Sequence, residues 1–161
     1  MIEAIVILAL VGLDQLVKYL VRNSIPLGGH ADLIPHVLGL SHIHNEGAAF
    51  SMLLGARWFF VVLTVVFLVF ALWALYAKKI THPFGKWTLV LIIAGAAGNL
   101  IDRALQGYVV DMFETLFISF PIFNVADVYV TVGGILFCVY YAFLHDAWTK
   151  RQQEKNHDNN V

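Results

Sequence analysis

The stretch from Trp58 to Ala77 contains no charged residue. A helix needs about 20 mostly apolar residues to cross the hydrocarbon of a bilayer, and this run fits that need with no weak point. Three further runs have the same character: Ile2 to Val21, interrupted by Asp14, Gln15 and Lys18; Trp87 to about Leu105; and about Asn124 to Leu144. The chain is 60% hydrophobic and 13% charged, whereas soluble domains are closer to half apolar and about a quarter charged. The excess is spread over long runs, which predicts membrane spans at 2–21, 58–77, 87–105 and 124–144 rather than one large core. The expected fold class is therefore an all-α integral membrane protein of four transmembrane helices, in one domain over 1–161. The first run does not read as a cleaved signal peptide, because it lacks a basic leading segment, carries charges at its centre and shows no A-x-A site.

Loop charges orient the bundle. Lys78, Lys79 and Lys86 flank the connection between spans two and three, and Lys150, Arg151 and Lys155 follow span four. The other side has only Arg22 and Arg57 as lysine or arginine outside the spans. The positive-inside rule then puts both termini in the cytoplasm. Loops 22–57 and 106–123 face outward, with a polar cytoplasmic tail over 148–161. Its end, Gln152 to Val161, has the composition of a disordered segment. In the first outer loop, His36 to Ile43 mixes apolar and polar residues as a strand does, and Gly28-Gly29 suggests a turn. A small β element lying on the membrane is expected there, and a short interfacial helix over Ala48 to Leu54. A net charge of −1 gives no sign of nucleic-acid binding. The single cysteine, Cys138, is expected to pack within its span.

The polar residues inside the spans share one depth. A helix rises about 1.5 Å per residue, so Asp14 lies roughly 18 Å into span one and Lys18 roughly 24 Å. From Trp87, Asn99 and Arg103 lie at roughly the same two depths, ~18 and ~24 Å. Asn124 and Asp127 fall in the first turns of span four, which enters from outside. In a hydrocarbon core about 30 Å thick, all of these occupy the outer third. Only Glu3, near the boundary, is charged in the inner half. Asp14 and Lys18 share a helix face, as do Asn99, Asp102 and Arg103. Gly95, Ala96, Ala97 and Gly98 would let a neighbouring helix approach closely.

An ionisable residue within a membrane segment marks a functional site by default. Asp111 and Asp127 are the candidates for chemistry. Two carboxylates in a poorly solvated pocket cannot both ionise cheaply, so the pair holds a proton near neutral pH. One group can then activate water while the other protonates a carbonyl oxygen or a leaving amine, as peptide hydrolysis requires. The alternative is that the two pair separately with Arg103 and Lys18. Asp102 and Arg103 are adjacent, and an ion pair within or between helices is the simplest role for Asp102. Arg103 could also bind a substrate carbonyl or hold a carboxylate. Asp14 with Lys18 reads as a buried pair fixing helix register. Asn45 could bind substrate backbone or cap the following helix. His42 and His44 form an H-x-H pair, but no third ligand follows at a telling spacing, so no metal is expected. No G-x-S-x-G is present and Cys138 has no nearby base, so a serine or cysteine nucleophile is not supported.

Five blocks carry a family resemblance: DQLVK (Asp14 to Lys18), NEGAAF (Asn45 to Phe50), GNLIDR (Gly98 to Arg103), GYVVDM (Gly107 to Met112) and FNVAD (Phe123 to Asp127). In this order, on four spans, they closely resemble the bacterial lipoprotein signal peptidases, the type II signal peptidases. The resemblance implies a four-helix aspartic peptidase of the bacterial inner membrane with a small extracytoplasmic β-cradle and an active site near the outer face. It implies cleavage of diacylglyceryl-modified prolipoproteins just before the lipidated cysteine, with no cofactor. Asp111 and Asp127 match the family's catalytic aspartates. Asn99, Arg103 and Asn124 match polar residues lining its active site, and Asp14, Lys18, Asn45, Gly47 and Ala48 match other family-typical positions. Met112 stands where phenylalanine is usual, which questions pocket shape rather than chemistry, and Glu46 lies at a position that varies. The expected partners are a lipid-modified prolipoprotein and membrane lipid, with the enzyme a monomer. A proton-coupled transporter or lipid flippase would predict polar groups at several depths and often repeated halves, and neither is seen. A non-enzymatic scaffold would account for Asp14, Lys18 and Asp102, but it does not require Asp111.

Overall fold

The computed structural model describes residues 1–47 and 56–158, with side chains through Glu154. Its elements in chain order are α1 (Ile2–Ser24), β1 (His30–Ile34), β2 (Leu38–Asn45), α2 (Arg57–Tyr76), α3 (Pro83–Leu105), β3 (Val109–Thr115), α4 (Val125–Phe143) and α5 (His145–Asp158). Helices α1 to α4 are each long and apolar enough to cross a membrane. Helix α3 begins before the apolar run does. Pro83 suits a first helical turn because its missing N–H would be unpaired there anyway, and the His82 ring accepts from the Phe84 amide at 3.1 Å.

Helix α3 packs against the other three spans and is the most buried of them. Small residues permit this. A Cβ on Gly95 would run into the carbonyl of Ala126, and one on Gly133 would stand 3.0 Å from the Thr88 carbonyl, so α3 and α4 touch through their backbones. Away from the sheet, Leu89, Val90 and Ile93 of α3 pack with Ala71 and Leu75 of α2, backed by Val6, Ile7 and Leu10 of α1. The rest of α2 turns Trp58, Phe59, Phe70, Trp73 and other large apolar side chains outward, as a charge-free helix facing lipid would. Cys138 is exposed on α4 and does not pack inside the bundle as expected.

The strands form one antiparallel sheet in the order β1-β2-β3. It sits at the end of the bundle where α1 and α3 finish and α2 and α4 begin. The hairpin of β1 and β2 fits the expected β element. Strand β3 lies outside the expected β element: its V-V-D-M-F-E-T run follows the span too closely to stand out as a separate element. Alternation along β3 puts Met112 on the face opposite Asp111. Met112 is fully buried against Val21 and Val110, and this cluster fastens the sheet to the end of α1. The substitution at Met112 therefore bears on the seating of the sheet and not on pocket shape.

The tail also departs from expectation. Residues 152–158 continue α5 rather than forming an irregular segment. Lys, Arg, Gln and Glu are good helix formers, and Trp148 anchors the helix start, its indole N–H donating to Thr81 at 2.8 Å and its ring meeting that of His82. The short helix expected over Ala48 to Leu54 lies outside the described residues.

Candidate active site

Two groups of carboxylates lie at the sheet-bearing end, all buried but the half-buried Asp127. The first is closed. Lys18 Nζ stands 2.8 Å from both Asp14 and Asp102, and all three side chains are sealed from solvent. Gln15 donates to Asp14 at 3.2 Å and to Asp102 at 3.0 Å, and the amide of Ala126 donates to Asp14 at 2.9 Å. A Cβ on Gly98 would meet Asp14 Oδ2 at 2.6 Å, so glycine is what admits this carboxylate between the helices. The expected Asp14–Lys18 pair is present. Asp102 pairs across to α1, and not with its neighbour Arg103, because consecutive helical residues point about 100° apart.

The second group is open. Asp111 and Asp127 line one cavity of about 880 Å³ between α2, α3, α4 and β3, together with Asn45, Asn99, Arg103 and Asn124. Strand β3 carries Asp111 opposite Ile43 of β2, and β2 ends at Asn45. Asn45 Nδ2 donates to Asp111 Oδ2 at 2.8 Å, and Asn124 Nδ2 donates to Asp111 Oδ1 at 2.7 Å. Asn124 is also the N-cap of α4. Its Oδ1 accepts from the Asp127 amide at 2.9 Å, while Asp127 Oδ2 accepts from the Asn124 amide at 3.1 Å. This reciprocal capping box fixes the first turn of the helix. The remaining oxygen, Asp127 Oδ1, accepts from Asn99 Nδ2 at 2.8 Å. Asn99 in turn accepts from Lys18 at 3.0 Å, which points its NH₂ toward Asp127 and links the two groups.

Every acidic oxygen in the cavity is thus met by a neutral amide. Among the described residues, neither Asp111 nor Asp127 forms an ion pair. Lys18 is engaged by Asp14 and Asp102, so separate pairing with Lys18 does not occur. Arg103 donates to the carbonyl of Gly47 at 3.0 Å and lies 5.2 Å over the ring of Phe60. It holds the chain after β2, where the Gly47 amide also donates to Asn45 at 3.0 Å. Burial pushes the Asp111 carboxyl up to about 6, and the nearby Asp127 charge adds to this, while the amides of Asn45 and Asn124 oppose it. His42 and His44 do not face this cavity. His42 Nδ1 bonds the Ile25 carbonyl at 2.8 Å, and His44 stacks on Tyr108 at 3.6 Å between centroids.

Two supporting residues, Gln15 and Arg57, escape a reading of the sequence, and the expected site residue Asn124 gains a second role. Gln15 looks like an interruption of a span, yet it bridges two acids. Arg57 looks like a loop charge, yet it donates to the carbonyls of Arg103 and Ala104 at 2.7 Å each, satisfying the end of α3. Asn124 holds both carboxylate-bearing elements, and its N-x-x-D spacing is the signal that could have found the cap.

The signal peptidase (SPase) II family model matches residues 6–143. The lipoprotein signal peptidase of Lactococcus lactis subsp. lactis (strain IL1403) is 45% identical over 150 residues, covering 93% of this chain and 98% of that protein. The lipoprotein signal peptidase of Streptococcus pneumoniae (strain ATCC BAA-255 / R6) is 46% identical over 86% of this chain and 90% of its own. A bacterial membrane enzyme solved by the in meso method at 2.3 Å resolution superposes with a TM-score of 0.82 at 34% identity, covering 92% of this chain and 90% of that one. With a family match over most of its length, relatives of this similarity and a shared fold, the chain belongs to the signal peptidase II family.

Proposed function

We propose that Asp111 and Asp127 are the catalytic pair with which this signal peptidase II removes the signal peptide from diacylglyceryl-modified prolipoproteins, cutting before the lipidated cysteine. The observation that carries this reading is that both carboxylates line one cavity and are held only by amides. Asparagine fixes their geometry without neutralising them, so the pair keeps a proton to move.

Asp111, buried and beside the Asp127 charge, holds the shared proton. Asp127 takes a proton from water as the oxygen attacks the scissile carbonyl, and Asp111 gives its proton to the carbonyl oxygen. Collapse of the tetrahedral intermediate returns a proton to Asp111, while Asp127 protonates the departing amine of the cysteine. Both carboxyls end as they began, and no bound cofactor is required. Arg103 and Asn45 order the wall beside the bond, and Asn99, Asn124, Asp14 and Lys18 hold the pair in register.

The chain spans the bacterial inner membrane with both termini in the cytoplasm and the sheet outside, and residues 1–161 act as one monomeric peptidase domain. Lys78, Lys79 and Lys86 at one end, and the sheet with the carboxylates at the other, support that orientation. A site near the outer headgroups meets the scissile bond while the acyl chains stay in lipid, where each retained methylene avoids a cost of about 0.8 kcal/mol.

Incubating the purified protein with a diacylglyceryl-modified prolipoprotein tests the function. A mass loss equal to the signal peptide is expected, and it is expected to persist in chelator. Inhibition by chelator that zinc reverses would shift the reading to His42 and His44.

A further inference from the structure

One turn below the carboxylates, three helices present a second level of the same cavity. Thr131 follows Asp127 by four residues on α4, Thr64 follows Phe60 by four on α2, and Ala96 precedes Asn99 by three on α3. Residues so spaced share a helix face. Phe60 lies under Arg103 and Asn99 reaches Asp127, so all three helices turn these faces to the cavity. Thr64, Ala96 and Thr131 indeed line it. Helices α2 and α4 start at the sheet-bearing end and α3 finishes there, so the three residues lie at one depth.

The walls at and below this level are otherwise apolar, formed by Leu63, Phe67, Ile92 and Val132. A hydroxyl in such surroundings is costly unless it has a partner. Threonine in a helix can satisfy itself on its own backbone. Thr88 does so on Gly85 at 2.9 Å, and Thr149 on His145 at 2.9 Å. Among the described residues, the Thr64 and Thr131 hydroxyls have no such bond. Ala96 between them is small and leaves the space open.

We propose that Thr64 and Thr131 recognise the ester carbonyls of the substrate's diacylglyceryl group. The inference rests on the reading of Asp111 and Asp127 as the catalytic pair. With the scissile bond at those carboxylates, seven or eight bonds through the thioether and glycerol of the modified cysteine separate its nitrogen from the ester carbonyl carbons, a flexible arm long enough to reach one helical turn, ~5.4 Å, toward lipid. An ester carbonyl only accepts hydrogen bonds, and a hydroxyl can donate one. The apolar walls beyond take the acyl chains. The two threonines thereby read the modification itself, not the peptide.

The test compares Thr64→Val and Thr131→Val with wild type on two synthetic prolipoprotein substrates, one with ester-linked chains and one with ether-linked chains that lack the carbonyls. For wild type, KM rises about five- to tenfold from ester to ether, the size expected for losing a hydrogen bond or two. Each valine variant shows a raised KM on the ester substrate and a reduced further rise on the ether, with kcat unchanged. Thr131→Ser and Thr64→Ser, which keep the hydroxyl, discriminate as wild type does. Equal KM changes on both substrates, or serine variants that lose discrimination, would overturn the assignment. Failure of the underlying reading is separately visible, because it would appear as turnover by Asp127→Asn.

Discussion

The two carboxylate groups at the sheet-bearing end are made of the same residue type and treated in opposite ways. Asp14 and Asp102 are sealed, and one lysine lies 2.8 Å from each. Asp111 and Asp127 are equally tied down, but by asparagine side chains and one backbone amide, and they border a cavity. A cation would fix a carboxylate and also silence it as a proton carrier. An amide fixes it and leaves it able to titrate. On the proposed reading, the partner, more than the acid, separates structural from chemical use.

The sharpest way to break this contrast is to remove one acid from the open pair. Asp111→Asn or Asp127→Asn should lower cleavage by ~10³- to 10⁴-fold, the upper range for general acid–base groups, while the protein stays inserted and folded. Measured turnover near wild type in either variant would undo the pairing. In the closed group the effect should fall on stability instead. Lys18→Met leaves two buried acids without a counter-charge and should cost about 3–5 kcal/mol, read by thermal unfolding in detergent. Gly98→Ala drives a methyl against Asp14 Oδ2 and should cost about 1–3 kcal/mol; an unchanged melting temperature would mean the α1–α3 contact is looser than it looks.

The smallest effect is also the most specific. Burial holds the Asp111 carboxyl up at about 6, so its proton is present below that pH and lost above it. In the free enzyme, kcat/KM should fall on the alkaline side through about pH 6. Asn45→Ala removes a bond that favours the ionised form, so this limb should move to higher pH, with a rate change of about tenfold or less. A shift to lower pH, or none, would show that Asn45 does not act on Asp111.

The four spans and the acids within them are legible because each follows a strong one-dimensional rule: unbroken hydropathy for the helices, and the cost of charge in lipid for Asp14, Asp102 and Asp127. Pairing is harder to read. Asp102 and Arg103 look like partners in print, yet helix geometry turns one to α1 and the other to the cavity. Strand β3 exists because β2 lies beside it, and nothing local separates V-V-D-M from the end of a span. Arg57 gains its role from carbonyls 46 and 47 positions away, a relation no spacing rule reports.

The capping box at Asn124 has a consequence for biogenesis. Asp127 becomes aligned with Asp111 only once α4 has formed and its first turn has closed, and α4 is the last span to be made. If these two acids are the catalytic pair proposed above, the earlier three spans lie in the membrane during synthesis without a complete proteolytic centre. A chain truncated before α4 would then hold Asp111 without its partner.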